Sequence, residues 1–374
     1  MNSTHLDLRV GVDFGTTYTG VSWNAVKEKQ NKINIITEWP GAPKHHNKVP
    51  TVLAKDESGE NTRWGFLCKD LADDKKWKLF KLLLDPVFFE KRKNDVKRAK
   101  NNGHGPWIPE TIDDVYILVD RYLSQVYIYI SNKIPELIKN HHDFSQALKD
   151  KTWASMKVEF IFSTPTTWEA SVSQWFRRLV SKAGFGGEDD HSVILGLTEA
   201  EAAAVFTCQS ATDCEIRNNN ILLSIDAGGG TTDIAFVRKA NDYFTLEEIR
   251  PVTGIGVGST KIDNEFAQLI EARINQNPTV RSHLPKDFAL KASQSQDFQN
   301  WKHNFGSEDW NLFSKCSTRV AEAKEYTNDR FRIEKGELFF TSAELKSCFD
   351  KTLKEIKEHI QTALQECTEA RNSR

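Results

Sequence analysis

The chain has 374 residues, 27% of them charged, and a formal net charge of −2. A length of this order suits two domains or one large two-lobed domain, and a charge so balanced gives no general electrostatic attraction to nucleic acid or to a membrane surface. No apolar run approaches the roughly 18–20 residues of a membrane helix, and six cysteines without a CxxC pair fit reduced thiols in a cytosolic or nuclear protein.

The start, MNSTHLDLRVGVDFG, is polar and then strand-like, unlike a secretory signal. Leu8 to Trp23, LRVGVDFGTTYTGVSW, reads as a strand into Asp13, a turn at Gly15, Thr16 and Thr17, and a return strand from Tyr18. Ile33 to Lys55 reads as strand–turn–strand, punctuated by Pro40, Gly41, Pro43 and Pro50. Trp64 to Lys69 opens a mixed segment that ends in KKWKLFKLLLD, Lys75 to Asp85. The basic run to Lys100, EKRKNDVKRAK, lacks the aromatic residues of a base-stacking platform and reads as solvated surface. Thr111 to Leu137 is helical in pattern: Thr111 and Asp113 are candidate caps, and Val115, Leu118, Val119, Tyr122 and Val126 share one face. Val158 to Ser163 is a central strand running into Thr164-Pro165-Thr166-Thr167-Trp168. Ser171 to Ala183 is then helical, Val193 to Leu197 a strand, and Thr198 to Val205 a helix start with carboxylates in its first turn.

Asn220 to Val237, NILLSIDAGGGTTDIAFV, is the most informative stretch. A strand ends in Asp226; Gly228, Gly229 and Gly230 follow, then Thr231, Thr232 and Asp233, and a second strand. Three glycines allow φ > 0 and close approach to a ligand, successive N–H groups can form an anion nest, and carboxylates with hydroxyls suit hydrated Mg²⁺. Alone, the three glycines read more readily as a plain Gly-rich hairpin. The turn after Asp13 repeats its grammar, however, and two such nests facing each other can hold a polyphosphate from both sides. Downstream, Phe244 to Val252 is a strand, and a Gly-rich stretch with Gly256 and Gly258 runs into the helix Lys261 to Asn275, whose N-terminus suits an anion. The pattern is weak from Asn277 to Phe313. Ser317 to Asn328 reads as helix, Phe331 to Phe340 as a strand pair around Lys335-Gly336, and Ser342 to Arg371 as a long helix capped by Ser342. The pairs His45–His46 and His141–His142 lie in polar sequence with no partner at metal-ligand spacing.

Five elements in order, GVDFGTTYTGV, Gly65-x-x-x-Lys69, STPTTW, TEAEAAA and IDAGGGTTDI with the following GIGVGSTKID, resemble the actin-like ATPase superfamily. The likeness is greatest to the nucleotide-binding domain of 70-kDa heat-shock chaperones of the DnaK type, in a divergent heat-shock-related branch, and runs from Val10 to about Leu364. It implies an α/β fold of two duplicated ribonuclease-H-like lobes around a nucleotide cleft. Residues 1–198 would be the first lobe, with an inserted subdomain at about 40–115, and 199–374 the second, with one at about 262–341. It implies ATP or ADP with Mg²⁺ as ligands, hydrolysis of the phosphoanhydride, and protein partners or co-chaperones. Asp13 and Asp226 would hold the waters of Mg²⁺. Gly15, Thr16, Thr17 and Tyr18, with Gly228, Gly229, Gly230 and Thr231, would cradle the phosphates. Lys69 matches the lysine that reaches the γ-phosphate, and Glu199 and Asp233 match carboxylates that orient water or metal. Gly256, Gly258 and Lys324 would serve the nucleoside side. From the residues alone, Lys69 also reads as a surface lysine and Glu199 as a charge favoured at a helix N-terminus.

Departures from the pattern are specific. Ala200 follows Glu199 where the family has proline, Ser173 stands for an arginine of its interdomain relay, and Ser259 replaces a glycine. On the adenosine helix, Lys324 matches, but Ala321 and Glu325 replace glutamate and arginine. The family's G-G-x-x-R-x-P adenosine motif would come after Leu364, and the chain ends at Arg374 without it. The second lobe is therefore expected to be incomplete, with an unpaired sheet edge and reduced nucleotide affinity, and no client-binding domain is expected. The expectation is an ATP-binding, weakly hydrolysing heat-shock-70-like protein. The alternatives are a non-catalytic relative acting through protein contacts and a small-molecule kinase on the same fold.

Overall fold

The computed structural model describes residues 6–28, 32–55, 62–71, 75–90, 93, 109–210, 216–240, 246–285, 288–307, 316–319 and 324–372. Most of the basic run before Lys100, together with Trp310 and Ala321, lies outside the described residues. The chain is mixed α/β and packs as two compact units, which part between Gly254 and Ile255. Both glycine-rich hairpins belong to the first unit. Among the described residues no helix is long and apolar enough to cross a membrane.

Strict alternation organises the first unit. In β1 (Leu8–Phe14), Leu8, Val10, Val12 and Phe14 are buried, which turns Arg9, Gly11 and Asp13 to the opposite face. β2 (Tyr18–Ala25) returns antiparallel to β1, and β3 (Asn34–Ile35) and β4 (Lys48–Pro50) both pair with β2. A small side sheet follows, with β5 (Val52–Lys55) between β6 (Thr62–Trp64) and β7 (Lys76–Lys78). β8 (Val158–Thr164) then adds parallel to β1, and β9 (His191–Thr198) parallel to β8, giving the main-sheet order β3-β2-β1-β8-β9. A separate antiparallel sheet holds β10 (Ile221–Ala227), β11 (Thr232–Lys239) and β12 (Leu246–Ile255).

The buried face of the main sheet is covered by two helices. Ile112–Asn140 starts with a capping box: Asp114 N donates to Thr111 Oγ1 at 3.2 Å, and Thr111 N donates to Asp114 Oδ2 at 2.9 Å. Its stripe of Val115, Val119, Tyr122, Val126, Ile130, Ile134 and Ile138 is fully buried. Val172, Phe176, Leu179 and Val180 of the helix Ala170–Lys182 complete this core. Phe14, one residue past Asp13, stacks on Phe176 at 5.7 Å and meets Tyr122 at 5.9 Å. The floor beneath the Asp13 turn is thus a packed aromatic layer, and truncating Phe176 to alanine would cost about 3–5 kcal/mol.

The second unit has its own core around Phe266 of the helix Thr260–Gln276, stacked on Phe298 at 4.0 Å and touching Phe340 at 4.6 Å. Its sheet sets β13 (Cys316–Arg319) and β14 (Ile333–Glu334) on either side of β15 (Glu337–Phe340). The helix expected over Ser317 to Asn328 is not present among its described residues. Cys316–Arg319 is a strand with Cys316 and Thr318 buried, and Lys324 and Glu325 form a turn. Pairing with β15 imposes a period of two there, and tertiary pairing overrides the local helix propensity. The last helix, Ser342–Asn372, is capped by Thr341 rather than Ser342: Glu344 N donates to Thr341 Oγ1 at 3.2 Å.

Candidate functional site

Parallel strands present their carboxyl ends on one side of a sheet, where loops gather chemistry. In the first unit those ends carry Asp13 near the end of β1, Thr166 just after β8 and Glu199 directly after β9. The cap of the helix Glu199–Ser210 is made by its neighbours: Glu201 Oε2 accepts from Thr198 N at 2.8 Å, and Glu201 N donates to Thr198 Oγ1 at 3.2 Å. Glu199 is left to other work. Its Oε1 accepts from Lys81 Nζ at 2.5 Å, with both side chains shielded from solvent. The Lys81 ammonium also lies 5.6 Å from the Trp168 ring and 5.8 Å from Phe14.

The second hairpin meets this cluster. The β10–β11 register sets Asp226 directly opposite Asp233, a like-charge pairing that disfavours the sheet and therefore calls for a reason outside folding. Asp233 is completely buried. Its Oδ1 accepts from Thr166 N at 3.1 Å and from the Thr166 hydroxyl, while Oδ2 is buried and accepts no hydrogen bond. A Cβ added at Gly254 would fall 2.5 Å from Asp233 Oδ1.

The two Gly-Thr turns face each other. A Cβ at Gly229 would lie 2.7 Å from Thr17 Cγ2, and one at Gly230 would lie 2.5 Å from Leu82 Cδ2 and 3.0 Å from Thr16 Oγ1. Gly228, Gly229 and Gly230 are not among the glycines with positive φ, contrary to the expectation from the sequence; close approach is what demands them. Gly15 N donates to Asp13 O at 3.1 Å and Gly228 N to Thr231 O at 2.9 Å, closing each turn. Among the described residues, the N–H groups of Thr16, Thr17, Gly229 and Gly230 make no hydrogen bond, which leaves donors for an anion. Thr51 braces the first turn: its N donates to Thr17 O at 2.8 Å and its hydroxyl to Gly15 O at 2.9 Å.

Electrostatics bind the set together. Burial pushes the Glu199 carboxyl above its ordinary value, helped by Asp13 and Asp233 and opposed by Lys81. Burial likewise raises Asp226, helped by Asp13 and Asp233 and opposed by Lys48 and Lys81. Lys48 donates to Asp13 Oδ2 at 2.5 Å. Burial works to lower the Lys48 ammonium, but Asp13, then Asp226 and Glu199, outweigh it, and the net shift is upward. Gly11, Asp13, Gly20, Lys48, Ile161 and Ser163 line a cavity of about 400 Å³ on this open face of the sheet.

Other predicted residues take no part in these contacts. Lys69 is exposed at the end of the 3₁₀ turn Gly65–Cys68, where its carbonyl accepts from Lys76 Nζ at 3.4 Å. The lysine that pairs with Glu199 is Lys81, a charge inside the apolar run FKLLL, and that oddity is the signal for it in the sequence. Tyr18 is exposed. Gly256, Gly258 and Lys324 belong to the second unit: the glycines precede the helix Thr260–Gln276, and Lys324 is exposed in a turn rather than on a helix. Sequence reading missed Lys48, Thr51, Lys81 and Thr166. It also missed that Asp143 joins the imidazoles of His141 and His142, at 3.5 and 3.2 Å, in an exposed cluster.

The donor set at the hairpins is carboxylate and hydroxyl oxygen, without sulfur or imidazole, and with Asp233 Oδ2 still able to accept. Such donors fit a hydrated Mg²⁺. No family model matches the chain. The chain is similar to "Heat shock 70 kDa protein 12A" of Mus musculus, at 20% identity over 322 residues, which cover 70% of this chain and 45% of that protein.

Proposed function

We propose that the first unit's hairpin site binds the phosphates of ATP with Mg²⁺ and hydrolyses the terminal phosphoanhydride slowly, in an actin-like, heat-shock-70-like arrangement. The observation that carries this reading is the apposition of the two Gly-Thr turns, with four unengaged N–H groups, beside four carboxylates and two lysines. The distant likeness to a heat-shock 70-kDa protein supports it.

The residues divide the work by position. The free N–H groups of Thr16, Thr17, Gly229 and Gly230 would take phosphate oxygens from two sides. Asp13 and Asp226 would hold Mg²⁺ through its waters, and the ion supplies charge neutralisation to the phosphates when bound. Lys81, fixed by Glu199 and walled by Trp168, holds a preorganised ammonium that needs no reorganisation as charge develops on the phosphoryl group. Glu199 and Asp233 would orient the attacking water. As its oxygen bonds to the γ-phosphorus and the bond to the bridging oxygen breaks, its proton passes to an oxygen of the released phosphate. Such a site works chiefly by positioning and charge stabilisation, so losing one carboxylate slows turnover more than binding. Phosphate release from ATP tests this: it should exceed background with Mg²⁺ and vanish in Asp226→Ala, and the same rate in both proteins would overturn it.

A further inference from the structure

Lys48 is absent from the expected phosphate machinery, yet the strand register delivers it to the centre of the site. Asp13 of β1 pairs with Gly20 of β2, and Gly20 pairs with Lys48 of β4, so the three positions share one face across three adjacent strands. Gly20 lacks a side chain, and the Lys48 stem fills its place: a Cβ at Gly20 would lie 3.3 Å from Lys48 Cγ and 3.4 Å from Cε. Stretched over this gap, the ammonium meets Asp13 Oδ2 at 2.5 Å and lies within electrostatic reach of Asp226 and Glu199. The Lys48 side chain remains about half exposed, so it can swing away into the open cavity it helps to line.

We propose that Lys48 is a tethered counter-ion for Asp13 that a divalent cation must displace, so that the site exchanges an internal monovalent cation for an external divalent one. This rests on the reading of Asp13 and Asp226 as the metal-holding pair. An ammonium and a hydrated divalent ion compete for the one Asp13 carboxylate, and the two cations repel each other at this range. The displaced ammonium is then available to the anionic ligand that accompanies the metal. Lys48 in this way sets how much divalent cation the site requires, and it disfavours metal binding when no phosphate is present to receive the lysine.

Titration of the full chain with Mn²⁺ alone, read by the loss of free-ion paramagnetic resonance signal, tests the exchange. Lys48→Met keeps the stem and removes the charge; it should bind Mn²⁺ at least about tenfold more tightly than the unsubstituted protein. Lys48→Arg, which restores a cation, should return the affinity towards the starting value. Equal or weaker binding by Lys48→Met, or no Mn²⁺ binding by either protein, would overturn the inference. A tighter Lys48→Met site in a protein that binds no ATP would leave the exchange standing and remove the nucleotide reading. ATP binding with Mn²⁺ affinity indifferent to Lys48 would do the reverse.

Discussion

Burying a lysine strips its ammonium of water, and the loss is tolerated only where a partner and a function justify it. Lys81 has its partner in Glu199, 2.5 Å away, near the rings of Phe14 and Trp168, and the proposed site gives it a function. Lys69, the lysine singled out by motif spacing, is solvated instead. The two residues therefore make opposite forecasts for turnover. Lys81→Met retains the volume, and Glu199 can take up a proton once its partner is gone, so the protein should stay folded while phosphate release falls about 10²–10³-fold. Lys69→Ala should leave the rate unchanged. Single-turnover measurements on the two variants separate them, and a slow Lys69→Ala beside a normal Lys81→Met would contradict the assignment.

The hairpins act as elements because glycine lets the backbone of one turn pack against side chains of the other. At Gly230 an added methyl would meet both Leu82 and Thr16. Gly230→Ala should therefore push the turns apart and weaken ATP binding about tenfold or more, with little loss of secondary structure; calorimetry beside circular dichroism checks both halves. These hairpins were legible in the sequence since an apolar strand, Asp, glycines and Thr-Thr-Asp occur together and are local. So was the buried stripe of the helix Ile112–Asn140, whose period is local too. The roles of Lys81 and Lys48 were not legible, even though the charge inside FKLLL marks Lys81 as unusual, because what makes each matter is a partner across the fold: Glu199 after β9 for one, Asp13 over Gly20 for the other. Cys316–Arg319 was misread for a related reason. Its neighbours favour helix, and only the distant strand Glu337–Phe340 enforces alternation.

At the scale of the whole molecule, two cores stabilise two units, so acid should not loosen them alike. In the second unit Glu344 caps the last helix and accepts from Thr341 N at 2.8 Å, Arg273 Nη2 at 2.9 Å and Arg332. Burial works to raise its carboxyl, but the Arg332 and Thr341 hydrogen bonds and the Arg273 charge bring it down from 4.5 to about 2. A depressed carboxyl stabilises the fold above its ordinary value and loses that contribution as pH falls through the folded one. Glu344→Gln should destabilise the second unit by about 1–2 kcal/mol at neutral pH. The difference from the unsubstituted protein should shrink between pH 4.5 and about 2, as followed by hydrogen exchange in the helix Ser342–Asn372.

On the proposed reading, the apposed turns of the first unit form a Mg²⁺-dependent ATP site. Calorimetric titration of ATP with Mg²⁺ into the full chain tests it most directly. A single saturable binding event, lost on chelating Mg²⁺ and weakened in Asp226→Asn, is the predicted result; no heat of binding up to millimolar ATP, or binding indifferent to Asp226, would contradict it.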